Sequence, residues 1–224
     1  MAPVTLYMVK ISPTCRVVWL YLLQNGIEHE TIDITCIDDI QKLSHMDKLS
    51  GHTDVPILTD GSVVVFEAPA ILEYLGKHYT NYAGFGKTVT TQSKCSSMLS
   101  WTNSEVHRIA GYMFAYPQFL DKYRLDSDSA NENLIENGIQ NLTSKLNRIE
   151  EGYLKKSRYL CGNQLTIADS FLVTTLMQSQ WAGFNFAIWP KVRAWFRNVA
   201  DQPYWKLVHE THDEFLEEIA LNIV

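Results

Sequence analysis

The first 80 residues alternate between short strand-like runs and helix-like segments. Residues 4–9 form a β-rich apolar run that predicts a buried strand. Ser12-Pro13-Thr14 predicts the start of a helix, because proline is favoured in the first turn, and Asn25-Gly26 predicts its end with glycine in the left-handed conformation. Residues 27–34 alternate over part of their length and carry β-branched side chains, which predicts a second strand.

The mixed pattern continues to residue 75. One short helix is expected over residues 40–49. Two apolar runs within residues 55–66 flank Asp60-Gly61, which predicts a hairpin whose two turn positions both have positive φ. Residues 70–75 predict another helix. The order β-α-β-α-β-β-α indicates a parallel pair of strands joined by a crossover helix, with an antiparallel hairpin completing the sheet.

The remainder of the chain has a helical pattern. Six apolar residues spaced 4-3-4-3-4 predict one face of a long helix: Ile135, Ile139, Leu142, Leu146, Ile149 and Tyr153. The stripe is shorter than three heptads, which favours packing within the domain over a coiled coil. Thr166 and Asp169 predict a capping box, and Trp189-Pro190 separates the last two helices. We therefore expect a mixed α/β domain over residues 1–80, a linker over 81–92 and an all-helical domain over 93–224.

Composition narrows the function classes. A chain of 224 residues lies between one domain and two, and 46% hydrophobic residues are enough for a proper core. Its 19 Lys and Arg against 25 Asp and Glu give a net charge of −6, which argues against nucleic acid as a partner. We find no signal peptide and no apolar run of membrane-spanning length. The four cysteines have no zinc spacing, so we expect reduced thiols in a cytoplasmic protein without a metal.

Five segments carry a resemblance over essentially the whole chain. They are the strand containing Tyr7, Ser12-Pro13-Thr14-Cys15-Arg16, Val55-Pro56 before the hairpin, residues 67–75 (EAPAILEYL) and residues 165–169 (LTIAD). In this order and spacing they resemble the cytosolic glutathione transferase superfamily, most closely its theta and insect delta/epsilon branch. The resemblance implies an α/β plus all-α architecture, in which a thioredoxin-like domain is followed by an all-helical one. It also implies a homodimer, glutathione as co-substrate and a role in detoxification.

Ser12 is the catalytic candidate. It directly precedes a predicted helix, whose free N–H groups and dipole favour an anion. In the proteins that the chain resembles, this hydroxyl donates to the glutathione sulfur and favours the thiolate. A free thiol has a pKa near 8.5, and lowering it by about two requires roughly 2.7 kcal/mol. The alternative is that Ser12 only caps the helix.

Cys15 and Tyr7 are the two neighbouring residues with alternative chemistry. Ser12-x-x-Cys15 resembles a thioredoxin motif whose first cysteine is serine, and thiol–disulfide exchange needs that first thiolate. We therefore expect Cys15 to pack rather than react. Tyr7 occupies a position that is catalytic in other classes of the superfamily, and beside Ser12 it is expected to pack.

The resemblance also assigns the glutathione contacts. It implies a cis peptide bond at Val55-Pro56, which exposes the N–H and C=O of Val55 to the cysteinyl part of glutathione. Glu67 matches the acid that binds the γ-glutamyl ammonium group. Gln41, and Lys42 beside it, lie near the positions where theta-type proteins place polar contacts to the glycine carboxylate of glutathione.

Two residues depart from the family pattern. Ala68 replaces a serine that donates to the γ-glutamyl carboxylate, a charge-assisted bond whose loss costs about 1.5–3 kcal/mol. Asp54 replaces a polar or basic residue before Val55, and its carboxylate repels anionic glutathione. Both keep open a second reading, a non-catalytic member of the fold that binds apolar ligands or serves a structural or regulatory role.

The electrophile site is assigned to side chains on the first helix after the linker and to Ile11. Ser104, His107, Arg108, Gly111 and Tyr112 have the spacing of one helix face. Arg108 or His107 is a candidate to stabilise the charge that develops on a leaving group. The alternative is that this face makes salt bridges and packing contacts. The leading function is conjugation of the glutathione thiolate to small hydrophobic electrophiles.

Overall fold

The structure is a computed structural model that describes residues 3–34, 40–52 and 54–222. It divides into two compact units. One comprises Met1–Ala83 together with Gln202–Val224, and the other comprises Gly84–Asp201.

The first unit is built on a mixed four-stranded sheet. The strands are β1 (Val4–Met8), β2 (His29–Asp33), β3 (Ile57–Asp60) and β4 (Val63–Phe66), in the spatial order β2-β1-β3-β4. β1 pairs parallel to β2 and antiparallel to β3, which pairs antiparallel to β4. The helices of this unit are α1 (Pro13–Gln24), α2 (Ile40–Ser50), α3 (Ala68–Leu75), which continues into a π-helical turn (Gly76–Thr80), and the C-terminal α9 (Trp205–Asn222). From β1 to α3, the strands and helices follow the predicted order along the chain.

The hairpin turn lies one residue later than predicted. Asp60 pairs with Val63 as the last rung of the ladder, so the two-residue loop is Gly61-Ser62 rather than Asp60-Gly61. Within the described residues of the hairpin only Gly61 has positive φ, at 57°, as expected when glycine is first in a two-residue loop. The end of α1 is as predicted, with Gly26 at φ 61°.

The core of this unit lies between the sheet and its helices. β1 alternates, with Val4, Leu6 and Met8 buried. α1 is buried along almost its whole length because α3 packs against it and so does α9. The chain therefore buries its first helix with its last.

The second unit consists of helices joined by turns and loops, with one isolated β-bridge between Tyr159 and Gly162. Its longer helices are α4 (Val89–Trp101), α6 (Asp128–Arg148), α7 (Ile167–Trp181) and α8 (Pro190–Ala200). Two π-helical turns (Thr102–Val106 and Arg108–Ala115) join α4 to the short α5 (Tyr116–Phe119), and a further one (Ile149–Tyr153) follows α6.

The predicted apolar stripe on α6 is only partly buried. Leu142, Leu146 and Ile149 lie in the core, whereas Ile139 is 41% exposed. The stripe therefore runs off the core at its N-terminal end, where Gly138 is the buried residue instead and packs against the backbone of Met113.

The capping box of α7 is confirmed. One carboxylate oxygen of Asp169 accepts hydrogen bonds from the backbone N–H and the hydroxyl of Thr166, both at 2.9 Å. The other oxygen accepts from the backbone N–H of Leu160 and the indole N–H of Trp195, also at 2.9 Å. A single buried carboxylate thus joins the start of α7 to α8 and to the turn before α7.

Among the described residues, no helix is both long and apolar enough to cross a membrane. In the same part of the chain, no group of three or more His, Cys, Asp or Glu side chains is arranged to hold a metal ion.

Candidate active site

The pairing of the strands brings three predicted site segments to one edge of the sheet. Tyr7, near the end of β1, pairs with Ile57 at the start of β3, and Ile57 pairs with Phe66 at the end of β4. The segments that follow β1, precede β3 and follow β4 therefore leave the sheet at the same edge. They carry Ser12, Val55-Pro56 and Glu67.

Ser12 is the N-cap residue of α1, but its side chain does not cap the helix. Its backbone N–H donates to the carbonyl of Val9 at 3.0 Å, and its carbonyl accepts the first helical bond from Arg16. The hydroxyl lies 2.8 Å from the hydroxyl of Thr14. Ser12 is half-buried, and its hydroxyl is not used to satisfy the free N–H groups of the helix start.

Cys15 lies directly behind Ser12 and is completely buried. Burial raises the pKa of the Cys15 thiol to about 11, although hydrogen bonds from the Val9–Ser12 region act in the opposite direction. The residue is therefore a protonated packing thiol, as the sequence predicted.

The Val55-Pro56 peptide bond is cis, as the resemblance implied. Pro56 is buried and anchors the segment, Val55 is half-buried, and Asp54 is exposed. The backbone N–H and C=O of Val55 precede β3, in the position where an extended peptide can pair with them.

Glu67 has an unusual backbone conformation, with φ 69° and ψ 122°. A bulky residue with positive φ costs of order 1–3 kcal/mol and persists at sites where its neighbours fix it. Here Glu67 is the N-cap of α3, its side chain is exposed, and Ala68 behind it is completely buried. The N-terminal ends of α1 and α3 thus both open at this edge, and free N–H groups at helix starts attract anions.

Two other predictions concern α2. Its backbone is described from Ile40, but the side chains of Gln41 and Lys42 lie outside the described part of the structure. Tyr7 packs against the core cluster of Ile34, Met46 and Ile57, with its hydroxyl 3.4 Å from Nε2 of His45.

In the helical unit, His107 belongs to a chain of hydrogen bonds. Tyr116 donates its hydroxyl proton to Oε1 of Gln178 at 3.1 Å, so its oxygen accepts from Nε2–H of His107 at 3.2 Å. Burial lowers the pKa of His107 to about 4. The imidazole is therefore neutral at pH 7.

The five residues predicted to share one helix face fall into two rows. Ser104, Arg108 and Tyr112 are exposed, whereas Gly111 is buried because the ring of Tyr116 packs where its side chain would be. The Ser104 hydroxyl donates to the carbonyl of Ser100, and an Arg108 N–H donates to the sulfur of Met113 at 3.3 Å. Ile11 is half-buried in the turn between β1 and α1 of the first unit.

Sequence reasoning missed an aromatic cluster around Tyr112. The rings of Tyr116 and Tyr123 lie 5.0 and 5.3 Å from that of Tyr112, and His107 lies 5.5 Å from it. The spacing of Tyr112 and Tyr116, four residues apart, was a signal for part of it. Tyr123 and Gln178 lie on other elements and gave no local signal.

Family models match both parts of the chain. Residues 6–83 match the glutathione S-transferase N-terminal domain, and residues 112–203 match the glutathione S-transferase C-terminal domain.

Among curated relatives, a dichloromethane dehalogenase of Methylophilus leisingeri is 30% identical over 206 residues, covering 88% of this chain and 75% of the relative. Mouse glutathione S-transferase theta-3 is 25% identical over 218 residues, covering 95% and 88%. An apo structure of a mutant human glutathione S-transferase T1-1 superposes with a TM-score of 0.80 over 96% of this chain and 90% of that one. Its identity of 24% supports the fold alone.

Proposed function

This chain belongs to the glutathione S-transferase family as a theta-like member, and on that premise we propose that it joins the glutathione thiolate to small hydrophobic electrophiles. The observation that carries the proposal is the Ser12 hydroxyl, which stands at the start of α1 without capping it. In this proposal Ser12 donates a hydrogen bond to the glutathione sulfur and holds it as the thiolate.

The energy required is within reach of these groups. A thiol ionised at neutral pH needs its pKa lowered by about two from 8.5, or roughly 2.7 kcal/mol. A hydrogen bond to a charged group contributes about 1.5–3 kcal/mol. The N-terminal end of α1 adds about 0.3–1 kcal/mol. Thr14 orients the donor, because its hydroxyl is 2.8 Å from that of Ser12.

The same sheet edge supplies the proposed docking contacts for glutathione. The backbone of Val55 pairs with the cysteinyl residue as an added strand does, and Glu67 binds the γ-glutamyl ammonium. The backbone N–H of Ala68, at the start of α3, donates a hydrogen bond to the γ-glutamyl carboxylate. Gln41 remains a proposed contact to the glycine carboxylate, and Asp54 borders the site. We assign this binding role to the predicted domain of residues 1–80.

For the electrophile we propose Arg108 and Tyr112, with Ser104, as contacts from the helical unit. The exposed guanidinium of Arg108 carries the positive charge, since the neutral His107 is limited to hydrogen bonding. A relative named as a dichloromethane dehalogenase supports alkyl halides as a substrate class, with halide as the leaving group. A cationic guanidinium suits the charge that develops on a departing halide.

A non-catalytic function is the second candidate. It is favoured by Ala68, which has no hydroxyl to donate, and by the exposed Asp54 carboxylate. Such a protein binds apolar ligands without ionising glutathione. Family membership also supports a homodimer in the cytoplasm, which light scattering and cell fractionation test.

One experiment separates the two candidates. We expect millimolar glutathione to raise the melting temperature, since ligand at 100 times its Kd adds about 2.7 kcal/mol. We also expect conjugation of an alkyl or aryl halide, with Ser12→Ala lowering kcat/KM by about a hundredfold and changing the glutathione Kd little.

The matched control is Ser97→Ala. Ser97 is an exposed serine on α4 whose hydroxyl donates to the carbonyl of Ser93. Its removal should leave kcat/KM unchanged. Absence of both the thermal shift and turnover would contradict the transferase proposal and favour the second candidate. Turnover unaffected by Ser12→Ala would remove Ser12 from the mechanism.

A further inference from the structure

Gln178, on α7, is joined to the proposed electrophile contact Tyr112 through two other side chains. Its Oε1 accepts a hydrogen bond from the Tyr116 hydroxyl at 3.1 Å, and the Tyr116 oxygen lies 3.2 Å from Nε2 of His107. The rings of Tyr116 and His107 in turn contact the ring of Tyr112, with centroids 5.0 and 5.5 Å from it. The acceptor for the Tyr116 hydroxyl thus comes from α7, far along the chain from the rings it connects to.

The two ends of this cluster differ in burial. Gln178 is 5% exposed, so its amide lies inside the helical unit, whereas Tyr112 is 44% exposed. Rings pack edge to face against Tyr112, with interplanar angles of 80° for Tyr116 and 89° for Tyr123. The ring of His107 meets it at 68°. The position of the exposed ring therefore depends on how the rings behind it are oriented.

The hydrogen bonds and one close contact fix the phenol of Tyr116. A side-chain carbonyl oxygen accepts but does not donate, so the single hydroxyl proton of Tyr116 points to Gln178. The Tyr116 oxygen then accepts from Nε2–H of His107. On another side the phenol covers Gly111, where a Cβ would lie 3.2 Å from the Tyr116 oxygen. The hydroxyl is thus enclosed by a glycine and bound by two side chains.

We propose that Gln178 is a positioning residue for the electrophile, because its hydrogen bond with Tyr116 holds the rings that orient Tyr112. This role rests on the proposed transferase function, in which Tyr112 contacts the hydrophobic electrophile. Gln178 itself touches neither substrate, so it acts on the binding of the electrophile rather than on the chemical step. Loss of such a residue raises the KM for the electrophile and leaves kcat and the KM for glutathione unchanged.

Steady-state kinetics of Gln178→Met test this role. Methionine is an unbranched side chain that fills buried space and has only a weak acceptor, so the Tyr116 hydroxyl loses its partner. With an alkyl or aryl halide as electrophile, we expect its KM to rise about threefold to tenfold, the factor that one neutral hydrogen bond contributes. The KM for glutathione and kcat should not change.

Gln178→Glu separates positioning from packing. A glutamate, ionised or protonated, keeps an acceptor oxygen for Tyr116, so the KM for the electrophile should return close to the wild-type value. A carboxyl group at this buried position should nevertheless lower the melting temperature. If Gln178 only filled space, the less stable glutamate variant would have a higher KM than the methionine variant.

Tyr116→Phe removes the same hydrogen bond from its other side. The double variant Tyr116→Phe, Gln178→Met should raise the KM for the electrophile no further than Tyr116→Phe alone, because both changes act on one bond. Tyr116→Phe also replaces Gln178→Met in the comparison if the methionine variant does not fold. The matched control is Gln180→Met, at an exposed glutamine of the same helix, which should leave both KM values unchanged.

The possible outcomes distinguish this role from the transferase function itself. In a wild-type protein that turns over the halide, the positioning role is overturned by an unchanged electrophile KM in Gln178→Met. It is equally overturned by a failure of Gln178→Glu to restore that KM, or by additive effects in the double variant. Absence of turnover in the wild type contradicts the transferase proposal, and the positioning role is then rejected with it.

Discussion

The side chain of Ala68 is a methyl group at the first position of α3, completely buried behind Glu67. We expect Ala68→Ser to tighten glutathione binding by about tenfold to a hundredfold, because a hydroxyl there adds a charge-assisted bond of about 1.5–3 kcal/mol. Titration calorimetry measures the Kd. The control is Ala70→Ser, on the same helix but exposed, which should leave the Kd unchanged. Equal effects of both substitutions would refute the assigned role of position 68.

At the residue scale, sequence motifs identified the candidate site residues, and burial in the folded protein then determined the protonation state of some of them. Ser12 and the cis bond at Val55-Pro56 could be predicted from the sequence, because each belongs to a short motif and the motifs follow one another in a fixed order along the chain. For His107, the sequence predicted only a titratable side chain at the electrophile site. Its neutral state depends on burial. The hydrogen bonds that continue from it through Tyr116 to Gln178 include a contact that spans 62 residues of sequence, which no local pattern encodes.

At the element scale, the strands and helices from β1 to α3 followed from the sequence pattern, and the error among them lay in a turn. Asp60 and Gly61 form a strong turn signal, yet Asp60 stays in the ladder. Its carboxylate accepts hydrogen bonds from the hydroxyls of Tyr74 (2.7 Å) and Tyr79. These bonds, which lower the pKa of Asp60, hold it opposite Val63 and move the turn onward. Side-chain contacts with a later helix thus decided the register.

Two helical glycines test how tightly the helical unit is packed. A Cβ at Gly111 would lie 2.7 Å from the ring of Tyr116, which is held by His107 and Gln178. We expect Gly111→Ala to destabilise the protein by about 1–3 kcal/mol through overpacking.

Gly152 is the matched control, since it also lies in a π-helical turn but its nearest neighbour is 4.0 Å away. Gly152→Ala should stabilise by about 0.5–1 kcal/mol, because alanine loses less backbone entropy on folding. Urea unfolding of both variants gives the two free energies. Similar values for the two would show that the ring of Tyr116 yields without strain.

At the scale of the whole molecule, the net charge of −6 opposes an anionic co-substrate. In the proposed site, the free backbone N–H groups at the starts of α1 and α3 attract the anion in place of charged side chains, since both helices begin at the same sheet edge. That convergence follows from the spatial order β2-β1-β3-β4, of which the sequence predicted the parallel pair and the antiparallel hairpin. The packing of α9 on α1 joins residues nearly a chain length apart, and no local pattern could predict it.

The α9 contact makes stability depend on pH. His209 and His212 are both buried, and burial, with the charge of the buried Arg16 on α1, lowers the pKa of His209 to about 3 and of His212 to about 2. Asp213, 3.3 Å from His212, favours the charged form but does not outweigh burial. In the unfolded chain both histidines have a pKa near 6.5 and take up a proton below it. The contribution of the two neutral histidines to the free energy of unfolding is therefore fully present above pH 6.5. It is lost as the pH falls from 6.5 toward the pKa values of the folded protein.

We expect the free energy of unfolding to fall by about 1.4 kcal/mol per histidine for each pH unit below 6.5. Between pH 7.5 and 5.5 the two together remove about 3 kcal/mol. Urea unfolding across this range measures the slope of the unfolding free energy against pH. Carboxylates that all variants share also affect this slope. The decisive comparison is therefore with the double variant His209→Gln, His212→Gln, whose absolute stability is lower but whose slope below pH 6.5 should be flatter. An unchanged slope would mean that these histidines accept protons in the folded protein, and that burial against α1 does not keep them neutral.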